Sequence, residues 1–190
     1  MQDTKRTQQI TGIIGSPRKN GNTNVLVSEI LSGAEAAGAT TQKILLTDYD
    51  INPCKACDAC RKTGQCIQKD DMPLIMKTLS QSDIWVLGTP VYWWGPTAQF
   101  KMFLDRWYGA GTYLHRKHQK VILVIPLGDT NERTARHTLG MLKDSLSYLQ
   151  MNLVAELVAT GVYEKNDAAE NETLTKKAFE IGRNAVLSDQ

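Results

Sequence analysis

The sequence predicts an α/β protein built on a mostly parallel sheet, and three observations carry that reading. Short apolar runs alternate with helical patterns along the whole chain, as repeated strand-helix units require. With 190 residues and 42% hydrophobic content, the chain can bury one sizeable core and is short for two, so a single domain over 1–190 is expected. Neither internal repeats nor low-complexity stretches interrupt the alternation.

The first apolar run, Ile10 to Gly15, reads as a strand and leads through a turn into a helix over Thr23 to Ala37. That turn, Gly15-Ser16-Pro17-Arg18-Lys19-Asn20-Gly21-Asn22-Thr23-Asn24, is rich in hydrogen-bond donors. Glycines let the backbone bend, N–H groups at the helix start point outward, Ser16, Asn22, Thr23 and Asn24 add short polar side chains, and Arg18 adds charge. It is neither a Gly-x-Gly-x-x-Gly fingerprint nor a P-loop. The ligand it suits is a phosphomonoester; the alternative is an ordinary capped turn.

A second strand, Gln42 to Leu46, precedes a loop-like stretch over Asp50 to Asp71. All four cysteines of the chain, Cys54, Cys57, Cys60 and Cys66, fall inside it with spacing x2, x2, x5. Four thiolates so close can ligate one iron-sulfur cluster. Structural zinc fits less well, because its cysteine pairs are usually separated by about a dozen residues or more. The start of the chain, Met-Gln-Asp-Thr-Lys-Arg-Thr-Gln-Gln, carries no apolar signal stretch, so a cytoplasmic location with reduced thiols is expected rather than a disulfide framework. Four free thiols beside a pocket remain the alternative to a cluster.

Met72 to Gln81 reads as the next helix, with Asp70-Asp71 capping it and complementing its dipole. The third strand, Ile84 to Thr89, ends in Pro90-Val91-Tyr92-Trp93-Trp94-Gly95-Pro96. Open parallel sheets bind ligands beyond the carboxyl ends of their strands. Flat side chains there can flank a planar ring, or pack the core or a subunit interface instead. A helix over Thr97 to Tyr108 follows, on which Lys101 and Asp105 can pair.

Val121 to Pro126 is the fourth strand, ending in the turn Pro126-Leu127-Gly128-Asp129-Thr130, which is placed to touch the same ligand. A helix over Glu132 to Gln150, a fifth strand over Leu153 to Thr160 and a helix over Leu174 to Leu187 complete the pattern. Gly109 to Gln119 and Tyr163 to Glu172 read as loops. His115, His118 and His137 share no ligand-like spacing and read as surface residues. No catalytic side chain is singled out.

The 22 basic and 20 acidic residues are spread along the chain, for a formal net charge of +2. With no basic block, nucleic acid is not an expected partner. No apolar run approaches the ~18 residues of a bilayer span, so no membrane association is expected.

Taken together, Gly15-Ser16-Pro17-Arg18 with Gly21-Asn22-Thr23, then Pro90-Val91-Tyr92 followed by Lys101 and Asp105-Arg106, resemble the flavodoxin-like family of NAD(P)H-dependent FMN reductases. The cysteine run brings the chain close to the iron-sulfur flavoproteins of that family. The resemblance implies a flavodoxin-like doubly wound sheet of five parallel strands, order 2-1-3-4-5, with helices on both faces and FMN at the switch between strands one and three. It implies that Ser16, Arg18, Asn22, Thr23 and Asn24 hold the FMN phosphate. Pro90, Val91, Tyr92 and Trp93, with Gly128 and Asp129, would line the flavin ring. It further implies NAD(P)H as electron donor, a flavin, quinone or similar small molecule as acceptor, and a homo-oligomer, dimer or tetramer. The alternative it leaves open is a carrier with FMN and a 4Fe-4S cluster on the four cysteines, exchanging electrons with a protein such as ferredoxin.

Overall fold

A computed structural model describes residues 6–110, 114 and 118–188. Its sheet has five strands, β1 (Gln9–Ile14), β2 (Thr40–Leu45), β3 (Ile84–Gly88), β4 (Lys120–Pro126) and β5 (Asn152–Ala159). All pairings are parallel, in the order β2-β1-β3-β4-β5. The expected strand order is therefore observed, and each expected strand is present within one or two residues of its bounds. β1, β3 and β4 are buried almost throughout, while the edge strands β2 and β5 alternate. Central strands covered on both faces require continuous apolar runs, which is what Ile-Trp-Val-Leu and Val-Ile-Leu-Val-Ile supply.

Two hydrophobic layers cover the sheet. On one face α1 (Asn22–Ala36) packs against the C-terminal helix, with Leu26, Val27, Ile30 and Leu31 set over Ile10, Val86 and Val124. The other face carries Trp85, Phe100, Phe103 and Trp107, joined edge to face at centroid distances of 5.5 to 6.0 Å.

The short helix α2 (Ala59–Thr63) lies within the stretch expected to be loop, flanked by left-handed residues Asp58 and Gly64. The next helix, α3 (Met72–Ser80), matches its expectation. By contrast, the helix expected over Thr97 to Tyr108 is shorter: α4 (Ala98–Asp105) tightens into a 3-10 segment, Arg106–Ala110. The helix expected from Glu132 likewise opens with a 3-10 turn, Glu132–Ala135, before α5 (Arg136–Tyr148). After β5 come a single turn, α6 (Asp167–Glu170), and α7 (Glu172–Leu187). Among the described residues, no helix is long and apolar enough to cross a membrane.

From β1 the sheet grows outward in both directions, to β2 on one side and to β3 on the other. The turns after β1 and β3 therefore diverge and leave a crevice between them. Their spacing is fixed by direct ties. Gly15 N donates to Gly88 O at 2.8 Å, and the Thr97 hydroxyl, which caps α4, donates to Gly15 O at 2.5 Å. Gly88 is required here, because a Cβ on it would meet Val27 Cγ2 at 2.7 Å and Thr23 Cγ2 at 2.9 Å.

Candidate functional site

A cavity of about 470 Å³ occupies the crevice at the carboxyl ends of β1, β3 and β4, within the ~300–1,000 Å³ range of small-ligand sites. Its walls are Ser16, Arg18, Gly21, Asn22 and Thr23 after β1, Pro90 to Trp93 after β3, and Pro126 to Asp129 after β4. Val162 and Tyr163, from the segment beyond β5, complete it. The structure thus brings together every residue expected to contact the cofactor except Asn24. The Asn24 amide is turned away to the Lys19 carbonyl, and its Oδ1 accepts from the Ser28 hydroxyl at 3.3 Å.

The end of the cavity at α1 is built to receive an anion. Gly21 stands at the helix N-cap in extended conformation and offers no side-chain cap. The first-turn N–H groups of α1 are therefore left for a ligand. Asn22 and Thr23 do not cap the helix either. Asn22 instead spans to the neighbouring loop, donating to Glu164 O at 2.8 Å and accepting from Ala168 N at 3.1 Å. Thr23 sets its methyl group over Gly88. Arg18 crosses the mouth, donating to Tyr163 O at 3.0 Å with its guanidinium 6.0 Å from the Tyr163 ring centroid.

The opposite wall is strained. Tyr92 and Gly95 exchange backbone hydrogen bonds of 2.8 and 3.0 Å, and the two residues between them, Trp93 (φ 50°) and Trp94 (φ 62°), are both left-handed. Tight turns of this form ordinarily carry Asn or Gly, and a bulky residue there costs about 1 to 2 kcal/mol. The Thr138 hydroxyl anchors the turn on the Trp94 carbonyl at 3.0 Å. Trp93 is left 92% exposed at the cavity rim.

At the turn after β4, Gly128 has no room for a side chain, since a Cβ would lie 2.7 Å from the Tyr163 ring. The Asp129 carboxyl is held below its usual range by the Thr134 hydroxyl at 2.6 Å and the Asn131 N–H at 2.9 Å. Gly21, Pro126 and Leu127 also line the wall; they lie inside turns the sequence marked, without having been singled out as contacts. Val162 and Tyr163 are wall residues that sequence reasoning missed, and they reach the site only through the position of β5 next to β4.

The four cysteines form a second constellation. Cys54, Cys57, Cys60 and Cys66 are free thiols that line one small hollow together with Arg106, Tyr108 and Gly109. Within the segment Ala56 and Asp58 are left-handed. A Cβ on Gly109 would stand 3.8 Å from Cys60 Sγ, so a side chain at 109 would grow into the hollow. The donor set suits an iron-sulfur cluster. The room does not without opening, because the hollow measures about 20 Å³. Among the described residues, no three His, Cys, Asp or Glu stand ready to hold a metal ion directly.

Behind this hollow lies a buried ion pair. Asp70 was expected to cap α3, and its Oδ1 does accept from Met72 N at 3.2 Å. Its larger role is different: both carboxylate oxygens meet the Arg106 guanidinium, with side chains 0% and 2% exposed. Burial works to raise the Asp70 carboxyl, but the Arg106 hydrogen bond and the N–H groups of Asn52 and Met72 outweigh it and hold it below its usual range. Asp71, at the N-cap position, caps nothing with its side chain and accepts from Asp50 N at 2.8 Å. Lys101 and Asp105 pair at 2.5 Å on the exposed face of α4, as expected. His118 and His137 are exposed, and His115 lies outside the described residues.

A wider, open groove of about 880 Å³ runs between α4 and α5, sharing Tyr108 with the cysteine hollow. Its charged groups, Lys101, Asp105 and Asp144 among them, are of mixed sign and face no donor-rich turn.

Comparison with known proteins gives this arrangement a lineage. A stretch of 98 residues, 52% of this chain, is 43% identical to an iron-sulfur flavoprotein of Methanocaldococcus jannaschii and spans about half (51%) of that relative. An iron-sulfur flavoprotein of Methanosarcina thermophila is 30% identical over 167 residues, 86% of this chain and 85% of the relative. Among solved structures, an NAD(P)H:quinone oxidoreductase from Methanothermobacter marburgensis shares the fold at a TM-score of 0.77, with 18% identity over 95% of this chain and 96% of the other. The model of one family, NADPH-dependent FMN reductase, matches residues 9–165, which contain all three cavity turns and the cysteine segment, and the chain belongs to that family.

Proposed function

We propose that this chain is an FMN-dependent oxidoreductase that takes electrons from NADH or NADPH and delivers them to a flavin, quinone or similar acceptor. The observation that carries the reading is the convergence of an uncapped helix N-terminus and an aromatic turn on one cavity of about 470 Å³. Such a cavity fits a ligand with an anionic tail at one end and a planar ring at the other. When bound, FMN supplies the ring that accepts and releases electrons. The backbone N–H groups at the start of α1, with Ser16, Thr23 and Arg18, would bind its phosphate. Pro90, Val91, Tyr92 and Trp93 would flank the ring, and Gly128 and Asp129 would meet its edge. Hydride transfer needs no protein acid or base, because the flavin itself does the chemistry.

A second reading adds the cysteines. All four line one hollow; if it opened to make room, these thiolates would hold a 4Fe-4S cluster, which would supply single-electron transfer to a protein partner such as ferredoxin. Anaerobic purification followed by an absorption spectrum and iron, sulfide and flavin assays separates the readings. Flavin bands with NAD(P)H oxidation and no iron leave the reductase alone. A broad brown shoulder with iron and sulfide adds the cluster, and a protein that binds no FMN overturns both. Within the first reading, Arg18→Ala should weaken FMN binding by roughly ten- to a hundredfold, the worth of one charge-assisted contact. Unchanged affinity in a titration would remove Arg18 from the site.

A further inference from the structure

We propose that Asn22 is a positioning residue of the flavin site: its side-chain amide fastens the strap 160–168 beside α1 and so sets Tyr163 as the fourth wall of the cavity; the proposal rests on the reading that the cavity holds FMN. The strap leaves the sheet after two backbone bonds to the turn that follows β4, Gly161 N to Asp129 O and Val162 N to Leu127 O, both at 3.0 Å. Beyond Val162 it curls on its own residues, because the N–H groups of Tyr163 and Glu164 both donate to Asp167 Oδ2 at 2.7 Å. One side chain then joins that stretch to α1. Asn22 Nδ2 donates to Glu164 O at 2.8 Å, and Asn22 Oδ1 accepts from Ala168 N at 3.1 Å, partners that lie 142 and 146 positions away in sequence.

The pattern of donors and acceptors selects this residue type. Glu164 O can only accept and Ala168 N can only donate, so a side chain that pairs with both must carry one group of each kind, as an amide does. Asn22 is 9% exposed, and burying an amide is costly unless both of its ends are paired. Here they are paired, with the strap and not with the cavity. Arg18 reaches the strap as well, through Tyr163 O at 3.0 Å, but that bond is exposed, and a bound phosphate would compete for the same guanidinium. The two Asn22 bonds stand outside that competition. What they hold in place is the Tyr163 ring, packed so closely on Gly128 that a Cβ there would lie 2.7 Å from it. Gly128 belongs to the turn expected to meet the flavin ring. Asn22 therefore acts on the flavin through the strap, in place of the direct phosphate contact that the sequence resemblance implies for its side chain.

Asn22→Ala, Tyr163→Ala and the double variant would be compared with wild type by FMN titration of the flavin-free proteins, and by limited trypsin digestion without flavin. Asn22→Ala should weaken FMN binding roughly tenfold, as the loss of two neutral hydrogen bonds implies. In the Tyr163→Ala background the same change should cost less than about twofold, because the ring that Asn22 positions is already gone. Trypsin should cut after Lys165, within the strap, roughly tenfold faster in Asn22→Ala than in wild type. Cutting after Lys77, in α3 on the other face of the sheet, should stay unchanged, which separates release of the strap from a general loss of stability. Full multiplication of the two single effects in the double variant would overturn the placement of Tyr163 and return Asn22 to direct contact with the ligand. Equal rates after Lys165 would overturn the strap. A wild type that binds no FMN ends the flavin reading and takes the role in binding with it, whereas the digestion still decides whether Asn22 fastens the strap. Should Asn22→Ala fail to fold, Asn22→Ser, whose hydroxyl is too short to span both groups, decides by the same two measurements.

Discussion

Trp93 shows how a single residue can be placed against its own preference. Its backbone is left-handed at φ 50°, its ring is 92% exposed, and its neighbour Trp94 is left-handed as well. Little burial compensates for that conformation, so the strain must be held by the Tyr92–Gly95 bridge and the Thr138 anchor. Strained backbone of this kind gathers at binding sites. Trp93→Gly should therefore stabilise the fold by about 1 kcal/mol in urea denaturation, since glycine adopts the conformation without penalty. The same change should brighten the fluorescence of bound FMN by removing a quenching ring. A loss of stability accompanied by dissociation of an oligomer would instead assign Trp93 to a subunit interface, the alternative its sequence leaves open.

At the scale of elements, the crossing of α1 and α7 is the tightest contact on its face of the sheet. A Cβ on Gly33 would lie 1.9 Å from Phe179 O, and one on Gly182 would lie 1.8 Å from Ile30 O. Both obstacles are backbone atoms, so no side chain can swing aside. Alanine is the better helix former by about 1 kcal/mol, yet Gly182→Ala should cost at least the ~1–3 kcal/mol of overpacking, because the helices must separate. Gly140 in α5 provides the control. Nothing lies within 4 Å of its would-be Cβ, so Gly140→Ala should stabilise by about 0.5 to 1 kcal/mol. Urea midpoints that moved in the same direction for both variants would show that propensity, rather than contact, governs these sites.

For the molecule as a whole, what could be read from the sequence was what short-range chemistry dictates. The buried strands β1, β3 and β4 announce themselves as unbroken apolar runs. The three turns that wall the cavity announce themselves through glycine, proline and clustered donors or rings. What could not be read depends on partners distant in the chain. Tyr163 belongs to the cavity because β5 pairs with β4, and nothing in its neighbourhood marks it. Asn24 looks like the donors beside it, and only the helix geometry turns it to Lys19. Asp70 reads as a helix cap because its real partner, Arg106, stands 36 residues away.

That pair joins the segment before Cys54, the start of α3 and the end of α4, so its titration should be felt by the whole fold. An unfolded Asp takes up its proton near pH 3.9, while the folded Asp70 does so only at lower pH. Between those points the unfolded chain holds more protons, so the stabilisation is complete above about pH 4 and is lost as the pH falls through the folded value. Asp70→Asn, which leaves Arg106 buried without its counter-charge, should cost about 3 to 5 kcal/mol near pH 7. Its disadvantage should shrink below about pH 4, where the unfolded wild-type chain takes up the Asp70 proton while the folded chain does not yet do so. Denaturant midpoints of the metal-free proteins at pH 7 and pH 3 would check this. A gap between wild type and variant that stays constant across that range would mean that Asp70 and Arg106 support the fold by packing and neutral hydrogen bonds, with the charge of the pair contributing nothing.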